Sequence, residues 1–218
     1  MAKKIYLSPS EQPENLYAYG NTNEKVQCRR ISAAAAEALR CCGFEVIDAV
    51  ADTLSERCRE SNDWKADLHV PIHTNAFNGK VTGTRIMCYA LSGEGYKAAK
   101  AVYNILAPIT PGNSENVSAS PNLYEVKNTN APCVYIEVDF HDVPDVAKWL
   151  VEHTVEIAEA ICKGICDYYG VAYKTAQETK PAESGVIYRV QVGAFRSRER
   201  AESLRAELNE KGYDAFVV

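Results

Sequence analysis

Long apolar runs, methionine and tryptophan are all scarce in this chain of 218 residues, which has two of each of those residue types. No apolar stretch approaches the roughly 20 residues that cross a bilayer, so no membrane span is expected. An excess of charge of either sign is also missing. Lysine and arginine total 24 against 29 aspartates and glutamates, for a net charge of −5. That balance gives no reason to expect nucleic acid or an anionic membrane as partner. Eight cysteines are present, yet none form a C-x-x-C pair or a cysteine–histidine cluster with zinc-finger spacing. Cys41 and Cys42 are adjacent near the end of one predicted helix, and Cys162 and Cys166 lie four apart on another. They read as buried free thiols in a reducing compartment. The opening "MAKKIYLSP" lacks the apolar core of a signal peptide, so synthesis and folding in the cytoplasm are expected.

What is present is ordinary globular material, 46% hydrophobic and 24% charged, enough for one full core and a small appendage. Strand-like runs at 4–8, 44–50, 66–73, 84–90 and 131–140 alternate with helical patterns at 23–43, 54–61 and 93–107. One long helix is expected over 143–170. This alternation predicts an α/β fold, a mostly parallel twisted sheet with helices on both faces. Residues 1–171 would form that domain. The polar stretch 172–184, which contains a proline, reads as a linker. Residues 185–218 read as a small strand–helix–strand half-domain.

Ligands of such sheets bind outside the C-terminal ends of the strands. Three residues gather there. His73 ends "DLHVPIH"; His69 shares its face but lies about 13 Å away at ~3.3 Å per residue, so the two cannot hold one ion. His69 is therefore assigned a structural role. Glu137 interrupts the apolar run "CVYIEVDF", where a carboxylate costs desolvation energy unless it is paired, coordinated or solvated. His141 follows it by four residues. Glu24 sits in the first turn of the first helix. A surface position favoured by the helix dipole is the plain structural reading, but that turn overhangs the same crevice. Asp139 shares the parity of Glu137. Asp142 reads as the cap of the following helix, and Asn75 as either a substrate contact or the holder of its own turn. Tyr17, Tyr19 and Tyr124 are available to line a groove.

The order and spacing of "IYLSP", of the glycine and glutamate in "GNTNE", of "IHTNA" and of "IEVDFHD" resemble the zinc-dependent N-acetylmuramoyl-L-alanine amidases of bacteria and their phages. The resemblance spans about residues 3–170. It implies zinc as cofactor, Glu24 and His73 as two of three metal ligands, and Glu137 as the catalytic acid–base. The family's first histidine has no match, since "LSPSEQ" puts Glu11 at its place. His141 is the expected replacement, with Glu11 or Gln12 as alternatives. The implied reaction is hydrolysis, by zinc-activated water, of the amide between N-acetylmuramic acid and L-alanine. A non-catalytic peptidoglycan binder on a degenerate amidase fold is the rival reading, and the missing histidine favours it.

The tail, with "VQVGAF" and "GYDAFVV", resembles the first half of a sporulation-related repeat (SPOR) domain, a module that binds glycan strands stripped of stem peptides. Both halves then imply peptidoglycan as partner. Two strands and one helix bury little apolar surface alone, so a homodimer through this half-domain is expected. Without a leader, the enzyme would reach the cell wall after lysis or through a pore, as a phage lysin does.

Overall fold

The computed structural model describes residues 2–114, 116–175, 192–195, 197–210, 215 and 217. The chain divides into two compact units, residues 1–180 and 181–218.

In the first unit β1 (Lys4–Pro9), β2 (Glu45–Asp48), β3 (Leu68–Asn75), β4 (Arg85–Cys88), β5 (Ser118–Ala119) and β6 (Tyr135–Phe140) form one sheet in the order β2-β1-β3-β6-β4-β5. All neighbours are parallel except β4 and β6. The helices are α1 (Glu24–Cys41), α2 (Leu54–Trp64), α3 (Gly93–Leu106), α4 (Tyr124–Asn128), α5 (Pro144–Glu152) and α6 (Thr154–Tyr169). From β1 the chain steps outward to β2, then back past β1 to β3. Right-handed crossovers in opposite directions put α1 and α2 on opposite faces. α1 and α3 both pack against α6.

The central strands carry little polarity because both of their faces are covered. Ile5, Leu7, Leu68, Val70, Ile72, Ile136 and Val138 are fully buried. Pro71 sits inside β3, where a ladder normally excludes it. The His69 N–H donates to the Pro132 carbonyl and the Val134 N–H to the His69 carbonyl. The next donor in that alternation would be the amide of residue 71, and proline has none. The β3–β6 ladder accordingly resumes only at Ile72 opposite Ile136.

Two expectations need correction. The closing helix is two helices, because His153 leaves helical geometry at φ −115°, ψ 27°. Its backbone N–H and its ring Nδ1 both lie 2.9 Å from the Trp149 carbonyl, so side chain and main chain cap α5 together. Asp142 does not cap α5 either. Its Oδ2 accepts the N–H groups of Phe77 and Gly79 at 2.9 and 2.7 Å, tying the loop after β3 to the end of β6. The short β5 and α4 carried too little periodicity to be foreseen.

In the second unit α7 (Arg198–Glu210) begins at Ser197, whose hydroxyl accepts the Arg200 N–H at 3.4 Å. The linker from residue 176 onward and most of the two expected strands of the half-domain lie outside the described residues.

Candidate active site

Asn23 caps α1 by accepting the Val26 N–H at 3.0 Å, which fixes Glu24 as the first helical residue. Glu24 is 1% exposed, so the surface reading of this residue fails. Its Oε1 lies 2.9 Å from His73 Nδ1, and its Oε2 accepts from Asn15 Nδ2 at 2.6 Å. The same Asn15 nitrogen donates to Gln12 Oε1 at 2.9 Å, and the Gln12 amide nitrogen lies 3.4 Å from His73 Nδ1. The Tyr135 ring stacks on His73 at 4.7 Å. Burial opposes charge on both partners, but their mutual hydrogen bond prevails. It keeps the Glu24 carboxyl below its ordinary range and the His73 imidazole above, with the Glu137 carboxylate adding to the latter.

Glu137 stands opposite His73 in the β3–β6 register. It is half-buried, and its Oε2 is out of solvent with no hydrogen-bond partner. Burial pushes its carboxyl up to about 7; His73 works against the rise and Glu24 adds to it. A carboxyl that titrates near neutrality, beside an imidazole, suits proton transfer.

The crowd of polar groups at the end of β6 separates into different jobs. The register slips between His73 and Asn75, so that Asn75 faces Phe140 and β6 spends an extra residue there. Asp139 does not join Glu137. Its Oδ1 accepts the N–H groups of Gly83 and Phe140, anchoring the turn before β4. His141 is buried and stacks on Tyr17 at 4.9 Å, and Nδ1 lies 3.0 Å from Thr74 Oγ1 and 3.1 Å from the Thr74 carbonyl. Burial holds its ring below the ordinary value, hence neutral. An Nδ1–H donated to that carbonyl leaves the lone pair on Nε2, the arrangement a metal ligand needs. Asn75 holds its turn, with Oδ1 accepting the Ala76 N–H at 2.9 Å.

Glu11, at the place of the family's first histidine, faces cations. Lys25 Nζ lies 2.5 Å from Oε2, Arg57 Nη2 3.0 Å from Oε1, and Arg29 pairs with Oε1 as well. Arg57 is 1% exposed and begins a network that sequence reasoning missed. It donates to Ser8 Oγ at 3.2 Å; Ser8 donates to Glu125 Oε1 at 2.5 Å; Glu125 Oε1 lies 3.0 Å from His69 Nε2; and His69 Nδ1 lies 3.0 Å from Ser61 Oγ. His69 is therefore a structural residue, as its place near the strand start implied. Beside His73 a cleft of about 300 Å³ opens, lined by Ser10, Glu11, Gln12, Tyr124 and Tyr135 among others. Tyr17 is buried, and Tyr19 is exposed.

Glu24 and His73 fit zinc as two of its donors: a carboxylate and an imidazole already in contact, near the unpartnered oxygen of Glu137. Among the described residues neither His141 nor Glu11 joins them as a third donor with all atoms within 4.8 Å of one another.

Residues 11–167 match the N-acetylmuramoyl-L-alanine amidase family, and the chain belongs to it. Residues 173–218 match the SPOR domain. The chain is 25% identical over 166 residues to N-acetylmuramoyl-L-alanine amidase CwlM of Bacillus licheniformis, a match covering 76% of this chain and 62% of that protein. It therefore spans less than two thirds of the length of that relative. Its fold is that of the catalytic domain of CwlV, an amidase from Bacillus (Paenibacillus) polymyxa: TM-score 0.70, 19% identity, 79% of this chain and all of that one. The catalytic domain of an endolysin targeting Clostridia difficile shares the fold too, with TM-score 0.64, 20% identity and coverage of 77% and 97%.

Proposed function

We propose that this chain hydrolyses the amide between the lactyl group of N-acetylmuramic acid and L-alanine in peptidoglycan. The observation that carries the reading is Glu137, a carboxyl titrating near 7 with an unpartnered oxygen, set opposite His73 and near Glu24. At neutral pH a large share of Glu137 is ionised and able to accept the proton of an attacking water, then return it to the leaving amine of L-alanine. Tyr135 and Glu24 hold the His73 ring in place from two sides. Glu24 and His73 would hold a zinc ion, which when bound supplies Lewis-acid polarisation of the scissile carbonyl. His141 through Nε2, Gln12 or Glu11 would complete the donor set. The SPOR region would bring the chain to glycan strands, and action on the cell wall in the manner of an endolysin follows from that pairing.

The test is digestion of purified peptidoglycan by the full chain with zinc supplied. New amino-terminal L-alanine without new reducing sugar ends is the expected product pattern. Activity should fall on acidification as Glu137 takes up a proton, at a pH below about 7 because bound zinc favours its carboxylate. Reducing ends, or no product at any metal concentration, would overturn the reading. The clamping of Glu11 by three cations favours the second reading, a peptidoglycan binder with no turnover. The same digestion separates the two, because a binder sediments with the wall and releases nothing.

A further inference from the structure

Away from the cleft, three thiols that are far apart in sequence converge. Cys42 follows the last residue of α1 and ends that helix. Cys162 and Cys166, four apart, lie on one face of α6. All three are buried, at 7%, 0% and 2% exposure. Their sulfurs lie within 4.8 Å of one another, with Cys42 and Cys162 at 3.9 Å. No other trio of histidine, cysteine or carboxylate donors among the described residues is so close.

We propose that Cys42, Cys162 and Cys166 form a binding site for a thiophilic d10 cation, Zn2+ or Cu+. Metal–sulfur bonds of ~2.3 Å set sulfurs roughly 3.8 Å apart around a tetrahedral ion, close to the Cys42–Cys162 spacing. Simple core packing would account for three apolar thiols, but not for the polar group aimed at one of them. The Lys174 N–H donates to Cys42 Sγ at 3.3 Å, and amide donors to sulfur are what stabilise a metal-bound thiolate. A disulfide would use two of these sulfurs and strand the third. Soft thiolate donors select copper(I) and zinc over hard ions. Three sulfurs supply a three-coordinate Cu+ in full; Zn2+ takes a fourth donor, for which the Lys174 carbonyl, 3.7 Å from Cys42 Sγ, is at hand. Binding releases the three thiol protons to solvent as the metal–sulfur bonds form. The ion would pin the end of α1 to α6, two helices that pack against each other. The inference does not rest on the peptidoglycan reading.

The experiment uses the full chain, reduced and stripped of metal, titrated with Zn2+ and, without oxygen, with Cu+. X-ray absorption at the metal edge reads the ligands. His73→Ala removes the cleft site, so one equivalent held by sulfur at about 2.3 Å should remain in that variant. Cys162→Ser/Cys166→Ser should lose this equivalent. Uptake of Zn2+ but not Cu+, or the reverse, assigns the ion. Absence of sulfur scattering in the wild-type chain with either metal overturns the proposal. So does sulfur-bound metal that persists in a folded double variant, or a Cys42–Cys162 disulfide in the protein as isolated, before reduction. If the double variant does not fold, the wild-type absorption spectrum decides by itself.

Discussion

Replacing Glu137 by glutamine should change the pH dependence of stability as well as turnover. Glutamine keeps the volume of the side chain and most of its hydrogen-bonding capacity but has no proton to titrate. The wild-type carboxyl moves from an ordinary 4.5 to about 7 on folding, chiefly through burial. A group whose pKa is raised by folding stabilises below its unfolded pKa, and that contribution is lost as pH rises through the folded value. At about 1.4 kcal/mol per pH unit, the displacement corresponds to about 3 kcal/mol lost between pH 4.5 and pH above 7. Part of this gain is offset in the mutant, because His73 loses a neighbouring carboxylate that favours its charged form. The stability of Glu137→Gln minus that of wild type should therefore climb by about 2 kcal/mol or more across this window. Urea unfolding of the full chain in chelator is a suitable assay. Trp64 and Trp149 both lie in the first unit, so fluorescence reports that unit. Added zinc should hold the carboxylate ionised and flatten the difference at the alkaline end. A difference that stays constant from pH 4.5 to 8, or falls, would refute the assignment of a strained, near-neutral acid to this position.

The other predictions use simpler readouts. His73→Ala should abolish tight metal binding in the cleft; full nitrogen- and oxygen-ligated zinc in that protein would remove His73 from the donor set. Glu137→Gln should lower amidase turnover by about 10² to 10⁴ while metal uptake persists, and wild-type release of stem peptides would contradict its role as base. Arg57→Ala should cost about 3 kcal/mol in urea unfolding, because it leaves Glu11, Ser8 and the Pro9 carbonyl short of a buried cation. An unchanged midpoint would show that Lys25 and Arg29 suffice. Gly164→Ala should destabilise by about 2 kcal/mol, since its Cβ would meet Val102 Cα at 2.4 Å where α3 and α6 touch. A neutral result there would mean that the helices separate freely.

Most of the sheet was legible because buried parallel strands write continuous apolar runs, and helices of ordinary length write a 3.6 period. "CVYIEVDF" announced its own anomaly: one carboxylate in an apolar strand. The separate fates of Glu137, Asp139 and His141 were not legible. Alternation puts Glu137 and Asp139 on one face, and the register slip opposite His73 that parts them is set by pairing between strands far apart in sequence. The break at His153 was hidden for a similar reason, since a ring bonded to the carbonyl four residues back leaves the apolar period intact on either side. Gln12 and Asn15 lie in a loop with no period at all, and only the fold brings them to Glu24 and His73.

The position of the absent histidine shows how sequence and structure divide the problem. From the residues, Glu11 is a candidate ligand simply because it occupies that place. In the fold its carboxylate faces Lys25 and Arg29 from α1 and Arg57 from α2, three cations on two elements. A carboxylate so surrounded has its negative charge answered, and its carboxyl is held below the ordinary range by those partners even though burial works the other way. To bind a divalent ion it would have to leave them, exposing Arg57, which has almost no access to water. Gln12 costs less to redirect: it is neutral, its amide nitrogen lies 3.4 Å from His73, and its oxygen, the atom that would ligate, accepts one hydrogen bond from Asn15. His141 offers a neutral nitrogen with the right tautomer, but must shift relative to Glu24 and His73 to close a three-donor set. On electrostatic grounds Gln12 and His141 are better placed than Glu11 to complete the proposed donor set. Glu11 instead belongs to the ion network that joins the first loop to α1 and α2.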